Sequence, residues 1–369
     1  MMTRSEQNQP AMEQYLDAEG EVMKNLPSWT FNTETLIDYY QSMVVARCGD
    51  QKAVALQRTG KMGTYPSCLG QEAISTVCAA LLKEDDVLIP YYRDLPGLMK
   101  RGIPLSDVLL YWGGDERGSA SDAWGKDLPN CVPIATQAGH AAGIATAIKI
   151  RHEAGEPMQV ALCALGDGAT SKGDFGEALN LAGTWQLPVV YIINNNQWAI
   201  SVPRKIQSGA PTLCQKGNAA GLPSFQVDGN DVIALHEVIS EAIERARQGK
   251  GATVIEAITY RLCDHTTADD ASRYRNSSEL EEAWQKEPVK RLRQFLHHRG
   301  LWDEQKEQAL KAEADRVIEA SVKNYLNTPL PKIEDLFDYH YANMPAQLVQ
   351  QKEEALLRHQ MRQGGAAHE

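Results

Sequence analysis

Gly166-Asp-Gly-Ala-Thr-Ser-Lys-Gly173 and, after a helical segment, Pro188-Val-Val-Tyr-Ile-Ile-Asn-Asn-Asn-Gln-Trp-Ala-Ile-Ser201 form the stretch that decides the fold. The apolar run Val160–Leu165 is short, lacks period-2 alternation and ends in Gly-Asp-Gly, as a parallel strand buried on both faces does. Val189–Ile193 reads the same way. Between them Phe175, Leu179, Ala182 and Trp185 recur at helical spacing across Gly173–Trp185, so the unit is strand, loop, helix, strand. The predicted fold class is α/β: a doubly wound, mostly parallel sheet with helices on both faces and further helices at the C-terminus.

Open α/β sheets bind ligands at the carboxyl ends of their strands. Asp167 and Asn196 follow two such ends and are expected to face one crevice. Neighbouring strands lie about 4.8 Å apart, and two oxygens each about 2.1 Å from one Mg²⁺ are at most roughly 4.2 Å apart. One hard cation bridging Asp167, Asn196 and a backbone carbonyl near Trp198 fits those distances. Gly166 and Gly168 let the chain approach a bulky anion, and the helix opening near Gly173 is expected to turn its positive end toward it. Gly-Asp-Gly alone is weak evidence, since both residues are common in ordinary turns. Two rival motifs fail on the letters. A dinucleotide fingerprint needs a third glycine where Ser171 stands, and no Gly-Lys pair completes a P-loop.

Composition narrows the classes. The 369 residues are 43% apolar and 23% charged, ordinary for a globular protein. A net charge of −11 argues against a nucleic-acid surface, which needs clustered Lys and Arg. Seven cysteines without a Cys-x-x-Cys fit reduced thiols in a cytoplasm. No apolar run approaches the roughly 20 residues of a membrane span, and no signal-peptide core opens the chain.

Residues 1–33 read as an arm, 34–275 as the α/β domain and 276–369 as a helical extension. Leu36, Tyr39, Tyr40, Met43 and Val44 make Glu34–Arg47 the first helix. A second is expected to open within Gly63–Ala73 and run to about Lys83. Val87–Pro90 is a short strand ending in Tyr91-Tyr92-Arg93-Asp94, and a planar guanidinium there suits phosphate oxygens. Gly113–Asn130 is an aperiodic loop. The small-residue helix Gly139–Ala147 is expected to pack tightly, His140 included. Asp231–Gln248 is an amphipathic helix stopped by Gly249, and the strand Ala252–Thr259 delivers His265, whose imidazole could bind a phosphate oxygen or move a proton. Helices are expected over Ser278–His298, Asp303–Tyr325 and Pro345–Gln363.

Gly-Asp-Gly closing on Asn-Asn resembles the thiamine diphosphate motif. More narrowly, GDGATSKGDFGEALNLAGTWQLPVVYIINNNQWAIS is similar to the α subunit of the E1 component of 2-oxo acid dehydrogenase complexes. The similarity runs from about Glu34 to the end, including Gly-Gln-Glu-Ala at 70–73 and Arg-Gly-Leu-Trp-Asp at 299–303. The resemblance implies thiamine diphosphate and Mg²⁺, with Asp167, Asn196 and the Trp198 carbonyl as metal ligands. It also implies Tyr92, Arg93, Gly168 and Ala169 at the diphosphate, Val132 and Ile134 beside the thiamine rings, and His265 as both cofactor-binding and catalytic. The Asn-Asn-Asn run leaves Asn195 as an alternative ligand, because relatives often have an acidic residue where Asn194 stands. The implied reaction is oxidative decarboxylation of a 2-oxo acid with acyl transfer to a lipoyl group on E2. Pyruvate is favoured over a branched-chain 2-oxo acid. No second sheet domain is legible to hold the glutamate that activates the cofactor, which implies an α₂β₂ heterotetramer with an E1 β subunit. The histidine that some pyruvate-specific members carry before Gly70 is replaced here by Pro66 or Ser67. Thr266 and Arg273 stand where animal relatives carry regulatory serines, so phosphorylation is not carried over. A transketolase-like or acetoin dehydrogenase subunit and a non-catalytic regulatory subunit are the alternatives.

Overall fold

The apolar runs pair as their composition requires. The computed structural model describes residues 11–365. Its strands are β1 (Val87–Ile89), β2 (Ala161–Gly166), β3 (Val189–Asn195), the short hairpin β4 (Trp198–Ala199) and β5 (Val202–Pro203), β6 (Ser224–Asp228) and β7 (Thr253–Ile258). Five of them form one parallel sheet in the order β1-β2-β3-β7-β6. Strand β3 lies at its centre. Val189, Tyr191 and Ile193 join Cys163 and Leu165 of β2 and the helices Thr136–Glu153 and Gly173–Trp185 in one buried cluster. Val190 and Ile192 are equally buried, and the two-residue alternation turns them to the opposite face, where the helix Val232–Arg247 packs. Truncating such a side chain to alanine costs roughly 2–5 kcal/mol. The strand that carries the asparagines is therefore rigidly seated.

Several elements differ from the sequence expectation. The first helix runs Thr33–Arg58, well past Arg47, because Ala53 and Leu56 continue its buried face; Gly49 packs closely, where a Cβ would stand 3.2 Å from Ile318 and Leu105 side chains. The second helix opens at Glu72, inside the expected stretch, and ends at Leu81, slightly before Lys83. The span Ser278–His298 is two helices, Ser277–Gln285 and Pro288–His298. Glu287 caps the second with its side chain, and Pro288 suits the first helical position. His140 is exposed rather than packed. Strand β6 was not anticipated: Ser-Phe-Gln-Val-Asp has no apolar run, and it pairs only with β7 within the sheet.

Residues 11–33 are tied to the body. Glu13 bridges Val227, and the Tyr15 and Leu16 amides both donate to Asp231 Oδ2 at 2.7 Å. The first ten residues of the expected arm lie outside the described ones. Two compact units divide the chain, Met1–Val322 and Lys323–Glu369. The helix Pro288–His298 belongs to the first, joined by Arg291 to Asp228 and by Glu287 at its cap to Arg47, each at 2.6 Å. The second holds the helix Ala346–Gly365 and an ion pair between Lys352 and Asp338. Among the described residues no helix is long and apolar enough to cross a membrane, and all seven cysteines are unpaired.

Candidate active site

Gly166 of β2 pairs in register with Asn194 of β3, so Asp167 and Asn196 leave the sheet at the same end. Both line one cavity. Tyr92, Arg93, Val132, Ile134, Gly168, Ala169, Trp198 and His265 line it too, so every site residue expected from the sequence meets there.

Asp167 is 1% exposed and its Oδ2 has no hydrogen-bond partner. Burial pushes its pKa up to about 6, against the pull of backbone amides and of Arg261 and Arg204. An orphaned buried carboxylate oxygen is costly unless a cation joins it. Of the three asparagines only Asn196 lines the cavity. Its Oδ1 accepts from the Trp198 amide at 3.2 Å and its Nδ2 donates to Gln71 Oε1 at 3.0 Å, an oxygen that the Tyr91 hydroxyl also reaches. Asn195 turns instead to Glu256 on β7 at 2.7 Å. Among the described residues no three His, Cys, Asp or Glu side chains gather as a metal cluster. A cation here has to take amide and carbonyl oxygens beside Asp167, which is hard-cation chemistry.

The rest of the wall is set by charge and shape. A Cβ on Gly168 would stand 2.9 Å from Ala199 Cβ, so the hairpin closes on that turn. Arg93, 3% exposed, donates to the Ser67 carbonyl at 2.8 Å and to His265 at two atoms. Burial, then Arg93 and Arg261, drive the His265 pKa down to about 3. The Tyr92 ring meets the His265 ring edge-on. Arg261, fully buried, donates to the carbonyls of Trp198 at 3.4 Å and Ile200 at 2.9 Å. It thereby holds Ile200 at φ 56°, a strained conformation for a β-branched residue. Val132, Ile134 and Ile200 are about half exposed and make an apolar rim.

The sequence reading assigns no site role to Gln137, and Gln71 enters it only within the Gly-Gln-Glu-Ala match. Gln137 lines the cavity with an unpartnered Oε1, and Gln71 anchors Asn196. The only signal for Gln137 was a polar residue among small ones. One expectation fails: the 3₁₀ turn Asp167–Ser171 intervenes before the helix at Gly173, whose positive end does not line the cavity.

Residues 40–334 match the family model described as dehydrogenase E1 component. The chain belongs to this family. It is 40% identical to the pyruvate dehydrogenase E1 component subunit alpha of Acholeplasma laidlawii, over 92% of this chain and 97% of that one. It is 38% identical to the protein of the same name from Staphylococcus aureus (strain Mu50 / ATCC 700699), over 93% and 92%. It is also 41% identical to the 3-methyl-2-oxobutanoate dehydrogenase subunit alpha of Mycobacterium tuberculosis (strain ATCC 25618 / H37Rv), over 87% and 86%. As a 2-oxo acid dehydrogenase E1 α subunit the chain is a component of a thiamine diphosphate-dependent enzyme. The E1 cavity fits that cofactor on two counts: Asp167 has a buried oxygen in want of a cation, and Gly168 leaves the turn bare of side chain.

Proposed function

We propose that Asp167, Asn196 and the Trp198 carbonyl hold Mg²⁺. In this reading Tyr92, Arg93, Gly168 and Ala169 lie against the diphosphate, and Val132 and Ile134 flank the thiamine rings. The observation that carries it is the unpartnered Asp167 Oδ2 in the same cavity as Asn196. Bound thiamine diphosphate supplies the electron sink for decarboxylation. The chain's own residues bind it, orient it and donate hydrogen bonds around it. Arg93 neutralises anionic oxygens from a position locked by Ser67 and His265. His265 accepts from Arg93 at Nδ1, so its proton sits on Nε2, where the N–H can donate a hydrogen bond to a reacting oxygen. Val132 and Ile134 keep water from the reacting face.

The substrate in this reading is a small aliphatic 2-oxo acid, with pyruvate first: the relative matched over 97% of its own length is named for pyruvate. The branched-chain reading rests on the 41% identity to a 3-methyl-2-oxobutanoate enzyme. The acyl group passes to a lipoyl-bearing E2. The half-exposed apolar rim supports an E1 β subunit covering the cavity in an α₂β₂ tetramer. Unpaired thiols fit a reducing cytoplasm. Co-expression with the β subunit, followed by kcat/KM for pyruvate and 3-methyl-2-oxobutanoate with lipoyl-E2 as acceptor, decides the substrate. Turnover by the solitary α chain would sink the shared site, and transfer to a sugar in place of lipoyl-E2 would favour a transketolase-like role.

A further inference from the structure

We propose that Glu256 is the positioning residue that aims Asn196 into the cavity and ties both halves of the cation pair to one buried carboxylate. The proposal rests on the reading of Asp167 and Asn196 as that pair. Glu256 is 1% exposed on β7, in register with Ile193 of β3 and Gln226 of β6. Four donors converge on it. Oε1 accepts from Asn195 Nδ2 at 2.7 Å, and Oε2 from the amides of Leu213 at 2.8 Å and Cys214 at 3.1 Å and from Gln226 Nε2 at 3.1 Å. A buried site facing only donors is satisfied by an acceptor-only carboxylate and not by an amide.

Asn195 carries the effect to one ligand. Its Oδ1 accepts from the Gln197 amide at 3.2 Å, which fixes the other end of the carboxamide on Glu256. Gln197 sits at φ 72°, a conformation that a non-glycine residue keeps only where its surroundings impose it. With Asn195 drawn to β7, its chain neighbour Asn196 is left facing the cavity. The second route runs through Leu213 and Cys214, which lead into Lys216. Lys216 Nζ donates to the Thr170 carbonyl at 2.5 Å and to its hydroxyl at 3.1 Å, and that hydroxyl donates to the Asp167 carbonyl at 2.8 Å. One carboxylate thus braces the turns that present Asp167 and Asn196.

The test uses the α₂β₂ tetramer and reads the calorimetric Kd for thiamine diphosphate at saturating Mg²⁺ beside kcat. Glu256→Gln places an NH₂ among four donors. Its Kd is expected to rise roughly 10–100-fold, the range for groups that orient metal ligands, with kcat at saturating cofactor within about threefold of wild type. The double variant Glu256→Gln with Asn195→Asp exchanges amide and acid across the same contact, and its Kd is expected to return to within about tenfold of wild type or better. A bulk packing role gives no such rescue. If Glu256→Gln fails to assemble, regained assembly and affinity in the double variant supports the proposal just as well. The proposal is overturned if Glu256→Gln binds like wild type while Asp167→Ala is weakened, or if the double variant fails to assemble or binds no better than the single. An Asp167→Ala tetramer that binds as tightly as wild type overturns the cation-pair reading beneath it.

Discussion

Arg93 grips His265 at two atoms, its Nη2 donating to the backbone carbonyl at 2.6 Å and to ring Nδ1 at 2.8 Å. A guanidinium only donates, so Nδ1 must carry a lone pair. The imidazole is neutral, and its pKa falls from 6.5 to about 3. The unfolded chain binds this proton first, so His265 contributes against the fold as pH drops from about 6.5 toward about 3, and not above about 6.5. The His265 imidazole resonances in the tetramer are expected to stay flat from about pH 5 to about pH 8. Titration near its ordinary value would break the assignment. His265→Ala removes the Nε2–H donor and is expected to lower kcat roughly 10²–10³-fold, the usual loss for one such donor.

Asp167→Asn should separate stability from binding. Burial raises the Asp167 pKa from 3.8 to about 6, so its ionisation opposes folding of the cofactor-free protein, not at all below about 3.8 and fully above about 6. Asparagine removes that cost, and the cofactor-free tetramer is expected to melt higher at neutral pH. The same change removes the one carboxylate of the cation pair, and Kd for thiamine diphosphate with Mg²⁺ should rise by on the order of 100-fold. Melting curves with and without cofactor check both arms. A lower melting temperature together with weaker binding would mean that Asp167 is a structural anchor.

The central unit was legible because its signals are local. Gly173–Trp185 was expected as a helix and is one to the residue, and the run Val189–Ile193 is extended only to Asn195. What escaped depends on long-range partners. Gln71 meets Asn196 from 125 positions away, and Glu256 meets Asn195 from 61, distances that no periodicity encodes. Strand β6 pairs with a single sheet neighbour and so needs no apolar run. The exposed face of His140 reads the same as a packed one in a helix of small residues.

Gly168→Ala tests the closeness of the hairpin. The new Cβ would meet Ala199 Cβ at 2.9 Å, a side chain with no freedom to swing aside, so the Trp198–Ala199 strand must move. The turn itself survives, since no left-handed angle is needed at Gly168. The tetramer is expected to assemble with its melting temperature little changed and its cofactor Kd raised about tenfold or more. Cutting Ala199 back to glycine in the same chain should restore binding. Unchanged affinity in Gly168→Ala would show that the hairpin yields freely and does not shape the site.

Asp94 gives the clearest pH dependence outside the proposed ligands. It is 2% exposed, accepts the Tyr91 amide at 3.0 Å, and burial raises its pKa from 3.8 to about 7. Its folded value exceeds its unfolded one, so the folded state holds the proton more tightly. Ionisation then works against the fold, by nothing below about 3.8 and by a growing amount as pH climbs toward about 7. Asp94→Asn keeps an oxygen for the Tyr91 amide and cannot ionise. The variant is therefore expected to melt higher than wild type, with a gap that widens from about pH 5 to about pH 7 and then levels off. Because Asp94 directly follows Arg93, cofactor affinity measured across the same range should flatten in the variant if the charge loosens that arginine. A melting gap that is constant with pH would mean that Asp94 is charged throughout, held so by a partner.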